Sequence, residues 1–213
     1  MKHSGRLRVG VIGVGYVGRH HARLLGSSED VELVAVVDID QNRAQLVASE
    51  TGSDVELNVS GLIGKVDAVT VAVPTEDHAS VAIPFLDSRI PVLVEKPIAA
   101  SLAEADRMIQ VARARGTLLA VGHSERYNPA VTTAMPLVNE PKFIEVHRLS
   151  AFQSRGLDVD VIFDVMIHDL DLLLSIVGAE VESVEAVGVP VLTDRNDIAN
   201  VRLRFANGCI ANL

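Results

Sequence analysis

Tryptophan is absent from this 213-residue chain, and aromatic residues make up only 3% of it. That scarcity argues against a base-stacking platform for single-stranded nucleic acid. Positive charge is short as well: 19 Lys and Arg face 28 Asp and Glu, for a net charge of −9. Such a balance disfavours non-specific binding to nucleic acid or to an anionic membrane surface. Cysteine occurs once, as Cys209, which excludes an intramolecular disulfide and a cysteine-based metal cluster. No apolar run reaches membrane-spanning length. The first residues lead directly into a strand-like run, without the apolar stretch and cleavage site of a signal peptide. A reducing, cytosolic setting is therefore expected, with no nucleic-acid and no membrane partner.

What is present is core. Apolar residues make up 48% of the chain and charged residues 22%, enough for one large domain or a domain and a half. Short Val/Ile/Leu-rich runs alternate with helical patterns. Strands are expected at 8–12, 32–38, 68–73, 91–94 and 117–121, and helices near 17–25, 41–51, 77–88 and 102–115. The last helix has a start signal, the S-x-x-E capping box of Ser101 and Glu104, and a stop signal at Gly116. Strands that read as continuous apolar runs suit a parallel sheet covered on both faces. The alternation predicts a doubly wound α/β domain over residues 1–122.

From residue 123 onward the pattern changes. Residues 127–136 form a short helical stretch bracketed by prolines, and 142–151 alternate like a strand. A long apolar helix then ends at Gly178. Further strands are expected at 182–189 and 200–205, and Asn207-Gly208 is a strong hairpin signal. The chain stops soon after, leaving a returning strand barely begun. Residues 123–213 thus read as an α+β domain that is short or incomplete, with an uncovered sheet edge near 209–213.

The long helix carries a polar seam. At about 100° per residue, Asp164, His168, Asp171 and Ser175 share roughly 60° of arc. Apart from Asp169, the rest of the segment is Val, Met, Ile and Leu, so the helix reads as buried nearly all round. Burying a carboxylate and an imidazole is costly unless they pair or do chemistry. Two readings fit the seam alone: a satisfied structural pair, or a site.

The first strand runs into Gly13, Gly15 and Gly18 in G-x-G-x-x-G spacing, with a helix after it. An acid, Asp38, ends the second strand about 20 residues beyond the last glycine, which completes the dinucleotide-binding (Rossmann) pattern. Gly13 allows a tight turn, Gly15 a close backbone approach to a pyrophosphate, and Gly18 close helix–strand packing. The loop residues Gly13, Gly15, Tyr16, Val17 and Gly18 are the expected phosphate cradle, at a helix N-terminus that favours anions. Asp38 can accept hydrogen bonds from both adenosine ribose hydroxyls and would repel a 2′-phosphate. That favours NAD over NADP, a preference that Arg43 can soften. Thr75, after the third of these strands, is a further candidate cofactor contact. For His78, in the first turn of the next helix, a surface or capping role is expected.

The fourth strand ends in Glu95-Lys96-Pro97. A lysine there can sit at the nicotinamide end of the crevice and donate to a substrate oxygen. On spacing alone, a salt-bridged surface lysine fits equally. His20 and His21 are adjacent on a helix and point about 100° apart, and with one cysteine in the chain no metal site is supported.

Taken together, the glycine loop, the Glu95-Lys96-Pro97 turn and the Asp164-x-x-x-His168 helix resemble the glucose–fructose oxidoreductase/inositol dehydrogenase/MocA (Gfo/Idh/MocA) family. The resemblance covers the whole chain. It implies an NAD-dependent oxidoreductase with Lys96, Asp164 and His168 as the catalytic group, and with Glu95 and Lys96 on the cofactor side of the site. It also implies an open antiparallel sheet in the second domain that builds homodimers or homotetramers. Family members are longer, which suits a second domain incomplete at its end.

Residues 122–130, 143–150, 155–161 and 164–171 more closely resemble the bacterial branch that oxidises the 3-hydroxyl of a UDP-N-acetylhexosamine for lipid A synthesis. That implies hydride transfer from the sugar to NAD, with Arg126, Asn128, Arg148 and Arg155 on the substrate side. Cations suit a diphosphate, although acids such as Glu125 and Glu145 can pair with these arginines instead. Either Lys96 or His168 can be the formal base. Asp164 would orient the imidazole, and Asp171 and Ser175 are expected to be structural. The alternatives are an inositol or simple-sugar dehydrogenase, a non-catalytic NAD-binding sensor, and a hydrolase that uses NAD transiently.

Overall fold

The computed structural model describes residues 5–149 and 160–213 and divides into two compact units, residues 1–122 and 123–213.

The first unit opens with β1 (Leu7–Ile12), α1 (Tyr16–Ser27), β2 (Val31–Val37), α2 (Gln41–Thr51) and β3 (Asp54–Val55). It continues with β4 (Ala68–Val71), α3 (His78–Asp87), β5 (Val92–Val94), α4 (Leu102–Arg115) and β6 (Leu119–Val121). The six strands pair in parallel in the order β3-β2-β1-β4-β5-β6. This order reverses direction on either side of β1, which opens a crevice at the carboxyl ends of β1 and β4. Strand β3 was not expected. It has two residues, too few to show a period.

Core placement follows from the apolar runs. Val11, Val36, Val71 and Val94 are fully buried along the sheet. Phe85, Leu86 and Met108 from α3 and α4 cover one face, and Ala22, Ala44 and Val47 from α1 and α2 cover the other. Helix α4 begins with half of the expected capping box: the Glu104 N–H donates to Ser101 Oγ at 3.3 Å, while Glu104 Oε2 accepts from the Ser101 hydroxyl at 3.0 Å rather than from its backbone N–H. It stops at Gly116, which is left-handed with φ 62°.

The second unit has a short helix α5 (Pro129–Ala134), β7 (Phe143–Glu145), α6 (Ile167–Val177), β8 (Val181–Val189), β9 (Ile198–Phe205) and β10 (Ile210–Asn212). The strand expected over 142–151 is confined to β7 among the described residues. The sheet runs β7-β10-β9-β8. Strands β8, β9 and β10 are antiparallel, as expected, but β10 pairs with β7 in parallel. The sheet is therefore mixed. β10 also lies between two partners, so residues 209–213 are not an uncovered edge; β7 and β8 are the edges. Cys209, Leu203, Phe205 and Ala211 meet Met166, Leu173 and Val177 of the α6 region in a single core. No helix among the described residues is long and apolar enough to cross a membrane.

Candidate functional site

In the first unit the glycine loop has the geometry its spacing requires. Gly13 is left-handed with φ 81°, and a Cβ there would lie 2.6 Å from the Ala72 carbonyl oxygen. A Cβ on Gly18 would lie 1.8 Å from the Gly13 carbonyl oxygen, so α1 can pack this closely only on glycine. Gly15 differs: its missing Cβ faces open space, with only Arg43 Nη1 near, at 4.0 Å. Gly15 is also the N-cap of α1 and makes no side-chain cap hydrogen bond. The helix thus presents its first backbone N–H groups, and its positive dipole end, beside a cradle that a side chain would fill. A cavity of about 580 Å³ adjoins the loop, lined by Val14, Gly15, Tyr16, Arg19, His20 and Arg43 among others. Tyr16, which lines it, and Val17 are both exposed.

Asp38 follows β2, and its side chain is 4% exposed. Its Oδ2 accepts the Val14 N–H at 2.8 Å and its Oδ1 accepts the Asp40 N–H at 2.9 Å. Arg43 Nη1 lies 3.5 Å from both carboxylate oxygens. The acid is thereby tied to the glycine loop itself. Loop and acid together fit the adenosine ribose and pyrophosphate of a dinucleotide. Thr75 opens a short 3₁₀ turn after Pro74 and is half-buried beyond the end of β4.

Glu95 and Lys96 follow β5, both half-buried. The sheet ladder fixes their backbone: the Glu95 N–H donates to the Val71 carbonyl at 2.9 Å. Glu95 Oε1 lies 3.0 Å from His21 Nε2, and its Oε2 accepts the Lys96 N–H at 3.2 Å. Burial pulls the Glu95 pKa upward. The hydrogen bond and charge of His21, with the Lys96 N–H and charge, outweigh it and hold the carboxyl below its usual value. On the other side, His78 Nδ1 lies 2.9 Å from the Pro97 carbonyl oxygen and Nε2 lies 3.0 Å from that of Val73. His78 is 1% exposed. The expected surface or capping role is thus overturned: this imidazole sits in the core and ties the Lys96-Pro97 turn to the end of β4.

In the second unit the polar helix does not start as an α-helix. Ile162–Met166 is a π turn, and α6 continues from it. Asp164 is in the π turn and His168 in the first turn of α6, both half-buried. A π turn is wider and winds less per residue than an α turn, so two residues four apart are brought closer to one line. The segment is not buried all round: Phe163 and Leu174 are about half exposed, and Ser175 is exposed.

The remaining acids of the seam are in ion pairs. Asp171 is buried and accepts from Arg126 Nε at 2.5 Å and Nη2 at 2.6 Å. Asp169, outside the expected seam, is also buried and accepts from Arg148 Nε at 2.8 Å and Nη2 at 2.7 Å. Two arginines expected as cations facing a diphosphate are thus neutralised by aspartates of the helix, not by Glu125 or Glu145. Asp171 takes the structural part expected of it. Asn128 caps α5, accepting the Ala130 N–H at 3.0 Å, and donates to Glu125 at 3.0 Å. Arg155 lies outside the described residues. Among the described residues, no group of three or more His, Cys, Asp or Glu is placed to hold a metal ion.

Sequence reasoning passed over His21. Its signal was present: Gly18, His21, Ala22 and Leu25 share the inner face of α1 by helical spacing. An imidazole there has to find polar partners.

Residues 7–123 match the oxidoreductase family with an NAD-binding Rossmann fold, and residues 139–213 match the GFO/IDH/MocA C-terminal domain. The chain belongs to the Gfo/Idh/MocA family. It is 40% identical over 208 residues, 97% of its length, to the UDP-N-acetylglucosamine 3-dehydrogenase of Acidithiobacillus ferrooxidans. The solved structure of that enzyme superposes with a TM-score of 0.93, covering 98% of this chain and 69% of the other. An inositol 2-dehydrogenase from Acidothermus cellulolyticus is 32% identical over 85% of the chain. GenD2 from gentamicin A biosynthesis, solved in complex with NAD, is 25% identical with a TM-score of 0.89, covering 100% of this chain and 66% of that one. The chain spans 66% of the first curated relative's length and 56% of the second's.

Proposed function

We propose that this Gfo/Idh/MocA chain belongs to an NAD-dependent dehydrogenase that oxidises the 3-hydroxyl of a UDP-N-acetylhexosamine, UDP-N-acetylglucosamine first. The observation that carries this reading is the 40% identity, over nearly the whole chain, to a dehydrogenase named for that substrate. The site residues agree with it. Gly13, Gly15, Tyr16, Val17 and Gly18 hold the pyrophosphate, Asp38 the adenosine ribose, and Thr75 the cofactor further along. Bound NAD supplies the hydride acceptor. Lys96, Asp164 and His168 handle the proton: Lys96 or His168 takes it from the hydroxyl, and Asp164 steadies the imidazole. In this reading Arg126 and Arg148 meet the nucleotide diphosphate with the guanidinium edge turned away from their aspartates, and Asn128 and Arg155 lie on the same substrate side. The ketone product would feed an aminotransferase of lipid A sugar synthesis, in a cytoplasmic homo-oligomer.

The similarity to an inositol 2-dehydrogenase gives a second reading, in which the substrate is a cyclic polyol. One assay separates them. The chain is incubated with NAD and either UDP-N-acetylglucosamine or myo-inositol, and NADH absorbance is followed. Growth of NADH with the nucleotide sugar alone supports the first reading, and growth with inositol alone the second. NAD binding without NADH from any sugar or polyol would replace both with a sensor or with a hydrolase that recycles its NAD.

A further inference from the structure

Glu95 is the last polar group before Lys96, and three separate elements fix its carboxylate. His21, on α1, places Nε2 3.0 Å from Glu95 Oε1. The other ring nitrogen of His21, Nδ1, lies 2.9 Å from the hydroxyl of Thr70 on β4, which is buried. Nε2 donates to Glu95, and the Thr70 hydroxyl can donate to Nδ1 of the neutral ring or accept from it when the ring is charged, so both nitrogens are satisfied in one orientation. Gly122, after β6, makes room: a Cβ there would lie 2.7 Å from Glu95 Oε1 and 2.9 Å from its carboxyl carbon. The Gly122 N–H donates to the Val94 carbonyl at 2.8 Å, so its backbone cannot retreat without breaking the sheet ladder. The carboxylate then closes on the Lys96 N–H at 3.2 Å.

We propose that His21 and Gly122 are positioning residues, which hold the Glu95 carboxylate in one place and through it set the peptide from which Lys96 is presented. None of them has to touch substrate. The helix that starts at the dinucleotide loop is thereby linked to the turn that carries the lysine. A misplacement of about 1 Å at a reacting group can cost as much as 10²-fold in rate, so a link of this kind is read in turnover rather than in cofactor affinity.

The test uses three variants of the full chain. In His21→Gln the side-chain amide nitrogen falls near the position of Nε2 and can still donate to Glu95. In His21→Asn the amide nitrogen falls near Nδ1, which keeps Thr70 and loses Glu95. Gly122→Ala displaces the carboxylate with His21 intact. Two readouts are taken on variants whose circular dichroism and melting match wild type. The first is the rate at which an amine-reactive reagent labels Lys96, by peptide mass spectrometry, with Lys65 as internal reference. The second is kcat and the KM for NAD in the NADH assay.

His21→Asn and Gly122→Ala are expected to change Lys96 labelling by about threefold or more and to lower kcat by about tenfold, with the KM for NAD within about twofold. His21→Gln is expected to stay within about twofold of wild type in both readouts. Indistinguishable Gln and Asn variants, or unchanged Lys96 labelling in a folded Gly122→Ala protein, would overturn the proposal. The kinetic arm rests on the dehydrogenase reading and the labelling arm does not. A wild type that makes no NADH while labelling separates Gln from Asn would sink the activity and leave the link standing.

Discussion

At the residue scale, the proposed function gives Asp38 two kinds of partner. In the structure it accepts the Val14 and Asp40 N–H groups, and with a dinucleotide bound it would accept ribose hydroxyls too. A carboxylate has lone-pair capacity for all of these. Hydrogen bonds to a charged group contribute about 1.5–3 kcal/mol each. Asp38→Ala is therefore expected to weaken NAD binding by about tenfold or more, and NADP by less, since the lost carboxylate no longer repels a 2′-phosphate. Titration of both cofactors by fluorescence or calorimetry checks this, and equal losses for the two would count against the ribose assignment. The residues proposed to handle the proton should behave in the opposite way. Lys96→Met and His168→Ala are expected to cut turnover by about 10²-fold or more while NAD affinity stays near wild type. Near-normal turnover in both would remove them from the proton-handling role. Gly13, Gly18 and Asp38 were legible in the sequence because each does a backbone job that few residue types can do. His21 and His78 were not, because an imidazole in a helix carries no mark of what it faces until the strands beside it are placed.

The seam on α6 separates into two kinds of acid at the element scale. Asp164 and His168 flank the change from π to α winding. Asp169 and Asp171 are buried and anchor Arg148 and Arg126. Helical spacing grouped Asp171 with the first pair and left Asp169 out. Spacing reports which residues share a face, not which arginine folds back across it, and the π turn lies outside α-helical arithmetic altogether. Breaking a buried pair by removing one partner costs about 3–5 kcal/mol. Arg126 is 47% exposed, and solvent screening reduces this to roughly 1–3 kcal/mol. Arg126→Ala is thus expected to lower the melting midpoint of the second unit by roughly 4–24 °C, taking about 4–8 °C per kcal/mol for a unit of this size. Arg126→Met with Asp171→Leu should recover most of that loss, because no charge is left buried. A double variant as unstable as the sum of the singles would show that the pair has no coupling. The turn between β8 and β9 offers a pH test. Asp197 accepts the N–H groups of Thr193, Val191 and Leu192, which hold its pKa far below the ordinary aspartate value. A depressed pKa in the folded state means stability present above the unfolded value and lost as pH falls towards the folded one. Asp197→Asn should therefore flatten the acid decline of unfolding free energy below about pH 4, measured by urea titration at several pH values.

At the scale of the whole chain, the two units have separate cores. The clusters around Phe85 and Val36 draw only on the first unit, and the cluster around Phe205 only on the second. The change of pattern near residue 122 was legible because the alternation of apolar strands and helices stops at the last parallel strand. The exact make-up of the second sheet was not. Its parallel β7–β10 pair joins segments far apart in sequence, and a three-residue strand has almost no period to read. The first unit, with residues 1–122, contains the six-stranded parallel sheet, both covering layers of helix, the glycine loop and Asp38. A domain with its own core folds as a unit, and about 120 residues are enough to bury one. Residues 1–122 expressed alone are therefore expected to unfold in a single cooperative transition and to bind NAD within about tenfold of the longer chain's affinity, since the residues proposed to hold the ribose and pyrophosphate are all inside them. Residues 123–213 alone should melt lower, because β8 is exposed along its whole length and the core under α6 is small. Calorimetry and NAD titration of both pieces decide the matter. A first unit that is molten or blind to NAD would mean that the dinucleotide site draws on the second unit, and that the boundary at Gly122 divides the chain's contacts without dividing its stability.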